Sequence, residues 1–274
     1  MSRTLPFDTT VVAAKEPEVV GDVKKESGSP GAMPIFIITH NRLTVLKQCI
    51  ASIENSVVGT PFEIVIHDNQ STYQPLIDFL KQSRYTVYWN PGNNLDDVAN
   101  SVTAYFAENP NAAPFYAVTD PDIEFDVDAI PGDWLDVYQR LLDEKPQVNA
   151  AGPELRIDDI PDHYPLKQEL LRRHRFGHKD DELFDFTFPE DAEKVIKCVY
   201  RPVDTTFAVY RRDFVFHRLN PAVLCHAPYN ARHLDWYIDG DNMNEDDRLY
   251  MMKTTQWGHW SSTLLKKKMQ EKEK

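Results

Sequence analysis

Residues 33–41 read MPIFIITHN, an apolar run that stops in Thr39, His40 and Asn41. A run without polar alternation is what a strand buried on both faces of a parallel sheet requires, and its polar end marks where the chain leaves the core. The pattern recurs. FEIVIHDNQS (62–71) ends in His67, Asp68 and Asn69, YTVYW (85–89) runs into the turn NPGNN, and PFYAVT (114–119) runs into Asp120-Pro121-Asp122.

Between these runs the apolar residues fall at helical spacing. Leu43, Leu46, Ile50 and Ile53 predict one helix, and Leu95, Val98, Ala99, Val102 and Phe106 another. A helix is also expected over about 75–83. Trp134, Leu135, Tyr138, Leu141 and Leu142 predict a further helix, and VNAAG (148–152) a fifth strand. Strands alternating with helices imply an α/β fold: an open, mostly parallel twisted sheet with helices on both faces, in a single domain. Ligands of such sheets bind beyond the carboxyl ends of the strands. All four polar endings fall there.

Composition narrows the function. The 274 residues carry a net charge of −13, which argues against general nucleic-acid binding. No apolar run approaches the roughly 20 residues of a membrane helix, and the first residues lack the basic-then-apolar order of a secretory signal. Three widely spaced cysteines, Cys49, Cys198 and Cys225, form no CxxC pair, so neither a zinc site nor a disulfide framework is expected. The expectation is a reducing, cytoplasmic compartment. Residues 1–32, rich in proline, glycine and scattered charge, read as a disordered tail, and 266–274 as a charged tail.

After residue 153 the regularity breaks. The stretch 153–200 reads as an insertion or a loop-rich substrate region, with one helical piece near 165–175. Strand character returns at TTFAVYRRDF (205–214). NEDDRLYMMKTT (244–255) reads as a helix with Asn244 as its N-cap.

Asp120-Pro121-Asp122 is a D-x-D at the end of a buried strand. Two carboxylates there can hold Mg²⁺ or Mn²⁺, and the metal can grip phosphate oxygens. The same three residues also suit an ordinary turn. Asp68 likewise fits an Asx turn, and His40 and His67 fit packing roles.

Taken together, IFIITHNR, IVIHDNQST, NPGNN and VTDPDIEF resemble the GT-A-fold glycosyltransferases, in particular the family-2-like group. The resemblance is closest over 33–125 and looser over 205–260. It implies a GT-A-like domain over 33–265, with a nucleotide-binding half at 33–125 and an acceptor and catalytic half at 126–265. It also implies a metal-dependent transfer of sugar from a nucleoside diphosphate sugar, a UDP-sugar first, to a glycan or other hydroxyl acceptor. Mn²⁺ or Mg²⁺ would be the cofactor.

By the same resemblance, Thr39, Arg42, Asp68, Asn94, Asp97 and Asp120 would line the nucleotide-sugar site, and Asp122 would bind the metal with Asp120 beside it. Asp246 would be the catalytic base, with Glu245 its rival. The acids of this segment equally suit the first turn of a helix. QWGHW (256–260) resembles the Gln-x-x-Arg-Trp signature of processive members, but His259 replaces the arginine, which casts doubt on processive synthesis. His259 could instead be a metal ligand. Arg232 and His233, in an aromatic stretch, could stabilise a leaving diphosphate. Two other readings stay open. One is a sugar-nucleotide nucleotidyltransferase, disfavoured because THNRLTVLK lacks a glycine-rich loop. The other is an inactive nucleotide-sugar or glycan-binding domain.

Overall fold

The computed structural model describes residues 31–253 except 93, 95–96, 165, 178–182, 204–206 and 240–242. The expected tails and His259 lie outside the described residues, apart from Gly31 and Ala32. Those two already belong to the folded body: Ala32 is buried, and the Gly31 amide donates to the Asn111 carbonyl at 2.9 Å.

Four strands form the first half of the sheet: β1 (Met33–Thr39), β2 (Phe62–Asn69), β3 (Thr86–Asn90) and β4 (Phe115–Thr119). They alternate with α1 (Leu43–Ser56), α2 (Gln74–Gln82) and α3 (Val98–Glu108). β1 pairs in parallel with both β2 and β4, and β2 with β3. Seven consecutive residues of β1 are buried, which is why its sequence shows no alternation.

A short β5 (Ile123–Glu124) and α4 (Trp134–Glu144) lead to β6 (Ala150–Pro153) and then to α5 (Lys167–Gly177). The remaining strands are β7 (Leu183–Phe188), β8 (Asp191–Val203), β9 (Ala208–Arg211), β10 (Asn220–Cys225) and β11 (Arg232–His233). A 3₁₀ turn at Leu234–Tyr237 and α6 (Glu245–Lys253) complete the described chain.

One nine-stranded sheet has the order β3-β2-β1-β4-β9-β6-β10-β8-β7, and β11 pairs with β5 in a separate ribbon. The α/β class and the helices on both faces follow the sequence reading. α1, α2 and α4 cover one face, and α3 covers the other. The second half differs in detail, because β9 runs antiparallel to both β4 and β6, and β7 and β8 add antiparallel pairings. The stretch 153–200 is correspondingly not loop-rich. It holds the expected helix and a long hairpin that extends the sheet. β6 and β9 approach so closely at Gly152 that a Cβ there would stand 2.3 Å from the Phe207 carbonyl oxygen.

A smaller apolar cluster of Ile160, Tyr164, Leu166, Leu170, Trp236, Ile238 and Met251 packs the segment before α5 against the 3₁₀ turn and α6. It brings the C-terminal acids beside the start of α1. Among the described residues, no helix is long and apolar enough to cross a membrane.

Candidate functional site

The carboxyl ends of β1 and β2 are in register, with Thr39 beside Asp68. Both side chains are buried, and neither Thr39 Oγ1 nor Asp68 Oδ1 has a hydrogen-bond partner among the described residues. The other Asp68 oxygen accepts from the Ser71 amide at 3.0 Å, the Asx turn that is the alternative reading of this residue. Burial holds the Asp68 carboxyl above its ordinary pKa. Asn41, in the left-handed region at φ 58°, accepts from the amides of Thr72 and Tyr73 through Oδ1, at 2.6 and 2.8 Å. Asparagine tolerates that conformation. The β1 loop is thereby fastened to the start of α2.

On the other side of the same rim, His67 bridges Ser101 of α3 and Asn69, at 2.7 and 2.9 Å. Asn90 donates to both Asn69 and Asp97, and Asn94 donates to Asp97 at 3.1 Å. The side-chain amides of Asn90 and Asn94 are therefore committed to neighbouring acceptors, with Asp97 as the shared carboxylate.

The D-x-D acids separate. A turn at Pro121–Asp122 breaks the strand alternation. Asp120 meets Arg218 through both oxygens, at 2.9 and 3.2 Å, and lies beside Ile38, Val118 and Tyr210 on the α3 face of the sheet. Asp122 turns instead toward α1.

There Arg42 is enclosed by three carboxylates: Asp122 at 2.8 Å, Asp235 at 2.5 Å and Asp247 at 3.1 Å. Its side chain is only 3% exposed, and Tyr250 lies under the guanidinium at 4.7 Å. Burial lowers the arginine's pKa, but Asp235, Asp122 and Asp247 more than offset it, so the charge is held firmly. Burial also raises the carboxyls of Asp122 and Asp247, and the arginine opposes this. One cation facing three acids leaves the cluster with an excess of negative charge.

Asp122, His233 and Asp235 each present a ligand atom within 4.8 Å of the other two. Asp122 Oδ2 is taken by Arg42, whereas Oδ1 is buried without a hydrogen-bond partner among the described residues and faces His233 Nε2 at 4.0 Å. Hard oxygen donors with one imidazole suit Mn²⁺ or Mg²⁺, and the unpartnered oxygen and excess negative charge fit a cation here. His233 is placed by β11, whose pairing sets it opposite Ile123, and by stacking on Trp236 at 5.1 Å. Arg232 points away, into Glu124, Asp126 and Asp159.

Both oxygens of Asp246 are engaged at the first turn of α1, by the Thr44 amide at 2.6 Å and its hydroxyl at 2.9 Å. Arg42, the N-cap of α1, supplies no side-chain cap, so Asp246 does this from α6. Glu245 is exposed and accepts from the Tyr73 hydroxyl at 3.2 Å.

The structure therefore brings together Arg42, Asp122 and His233 with the C-terminal acids, and sets Thr39 beside Asp68. It places Arg232 in a separate ion cluster. Asp235 and Arg218 escaped the sequence reading as site residues, and Asp247 entered it only as one of the three acids that segment 245–247 offers for a base. The Arg-His-x-Asp spacing at 232–235 was a signal for Asp235. Arg218 had none.

No protein-family model matches the chain, and no curated protein sequence matches it. Among solved structures, S. aureus TarS 1–349 is similar at 12% identity and a TM-score of 0.40, covering 86% of this chain and 69% of its own. TarS 1–349 in complex with UDP-GlcNAc gives 12% and 0.39, over 87% and 71%. Glucosyl-3-phosphoglycerate synthase from Mycobacterium tuberculosis, in complex with Mn²⁺, UDP and glucosyl-3-phosphoglycerate, gives 12% and 0.38, over 67% and 57%. At TM-scores below 0.5 none of these likenesses carries an argument about this chain.

Proposed function

We propose that the chain is a GT-A-type glycosyltransferase that takes a nucleoside diphosphate sugar, a UDP-sugar first, and moves its sugar to a hydroxyl acceptor such as a glycan. One observation carries the reading. Thr39 Oγ1, Asp68 Oδ1 and Asp122 Oδ1 are buried without hydrogen-bond partners among the described residues, and all three stand at the carboxyl rim of parallel strands. Buried polar atoms left unmade cost about 1–3 kcal/mol each, and a nucleotide with its cation would satisfy them.

In this reading Thr39 and Asp68 take the nucleoside. Asp122, His233 and Asp235 would hold Mn²⁺ or Mg²⁺, which supplies positive charge for the departing diphosphate. Arg42 keeps the three aspartates in place and tempers their repulsion. Glu245, exposed and outside the Arg42 cluster, is better placed than Asp246 to take a proton from the acceptor hydroxyl. The division near residue 125 into nucleotide and acceptor halves belongs to the same reading. The committed oxygens of Asp246 favour a second one, a binding module without turnover.

Thermal shift with nucleotide-sugars, with and without Mn²⁺, tests the proposal. A UDP-sugar is expected to raise the Tm with Mn²⁺, and Asp122→Ala to remove the metal-dependent part. Absence of a shift with every nucleotide sinks the reading. Binding without Mn²⁺-dependent donor hydrolysis or transfer selects the binding module.

A further inference from the structure

The two acids of Asp120-Pro121-Asp122 are each held by an arginine from elsewhere in the chain, but the two pairs differ in access. Arg42 and Asp122 are sealed, with side chains 3% and 9% exposed. Arg218 and Asp120 are 15% and 19% exposed and meet as a two-pronged pair at the end of β4. Asp120 stands two residues before Asp122, in the turn that follows β4, so the open pair is next along the chain to the candidate cation-binding acid.

We infer that the Asp120–Arg218 pair is a resting latch that a nucleoside diphosphate opens by exchanging partners: Arg218 passes to a phosphate and Asp120 to a sugar diol. This rests on the nucleotide reading above and deepens it. A phosphate offers guanidinium the same two-pronged geometry as a carboxylate, with more charge. A carboxylate freed from its arginine is an acceptor for two neighbouring hydroxyls. No covalent bond changes. Arg218 is thereby a residue that discriminates phosphorylated from unphosphorylated ligand, whereas Arg42, enclosed on three sides, is not.

The experiment compares UDP and uridine binding to the full chain by calorimetry in Mn²⁺, for wild type, Arg218→Gln and Asp120→Asn. Loss of a charge-assisted two-pronged contact weakens binding by about tenfold or more. Arg218→Gln is therefore expected to weaken UDP by that much while leaving uridine unchanged. Asp120→Asn is expected to leave uridine unchanged, because uridine carries no phosphate to open the pair. Arg218→Lys, which keeps the charge and loses the fork, carries the same comparison if the glutamine variant does not fold. Equal loss of UDP and uridine in the Arg218 variants, or no change in either, overturns the latch while wild-type binding of UDP keeps the nucleotide reading. Wild-type protein that binds neither ligand overturns both.

Discussion

Asp246 grips Thr44 with both carboxylate oxygens, the amide at 2.6 Å and the hydroxyl at 2.9 Å. A residue near the end of the described chain thus caps the first helix. Replacing Asp246 with Ala leaves the Thr44 amide unpaired and removes a negative charge from a helix N-terminus. The expected loss is about 1–2 kcal/mol of stability in urea unfolding. Glu245→Gln is expected to leave stability within about 0.5 kcal/mol and to cost transfer activity. A stable, inactive Asp246→Asn beside a fully active Glu245→Gln would reverse the two roles.

Arg42→Met removes the cation from three buried acids. Stripping one partner from a buried ion cluster costs about 3–5 kcal/mol. The defect should depend on pH in a set direction. Burial already raises the carboxyls of Asp122 and Asp247, and a raised folded-state pKa gives stability that is lost as pH rises through it. Without Arg42 these carboxyls rise further, so the variant should be worst at pH 7.5 and recover toward pH 5. Denaturation at the two pH values reads this out, and a small, pH-independent defect would contradict it.

His67 titrates in the opposite sense. Burial pulls its pKa from 6.5 to about 4, against the pull of Asn69. The folded protein therefore refuses a proton that the unfolded chain accepts. Stability is full above about pH 6.5 and falls as pH drops toward 4, by on the order of 3 kcal/mol at most. His67→Gln should flatten that part of the curve relative to wild type. An identical pH profile in the variant would show that His67 is not the titrating group.

Gly152→Ala should destabilise the sheet by about 1–3 kcal/mol, because its Cβ would collide with the Phe207 carbonyl oxygen, which is backbone and cannot turn aside. Thermal unfolding measures it. An unchanged Tm would mean that β6 and β9 can separate freely.

The first half of the fold was legible because its information is local. Each of β1, β2 and β4 is a run buried on both faces, and each polar ending follows directly in the chain. The second half was not. In β7 and β8 buried and exposed positions alternate, so charged residues such as Lys194 and Lys197 made the segment look like surface. Within the site, Thr39, Asp68 and Asp122 announced themselves by position. Asp235 did not, because it sits in a one-turn 3₁₀ segment between aromatics, where no periodicity applies. The pairing of Arg218 with Asp120 spans 98 residues, and no local pattern encodes it.

The Arg42 cluster has a consequence for how the protein is made. Its partners lie 80, 193 and 205 residues further along the chain. A nascent chain can pair β1, β2, β3 and β4 on the ribosome long before Asp235 and Asp247 emerge, but until then Arg42 has at most Asp122 to face. The Arg42 cluster closes only when synthesis has passed Asp247 in α6, whereas Asp122, His233 and Asp235 are all made before that helix. A chain stopped before α6 carries every strand of the sheet and lacks Asp247, so Arg42 then keeps one buried partner fewer.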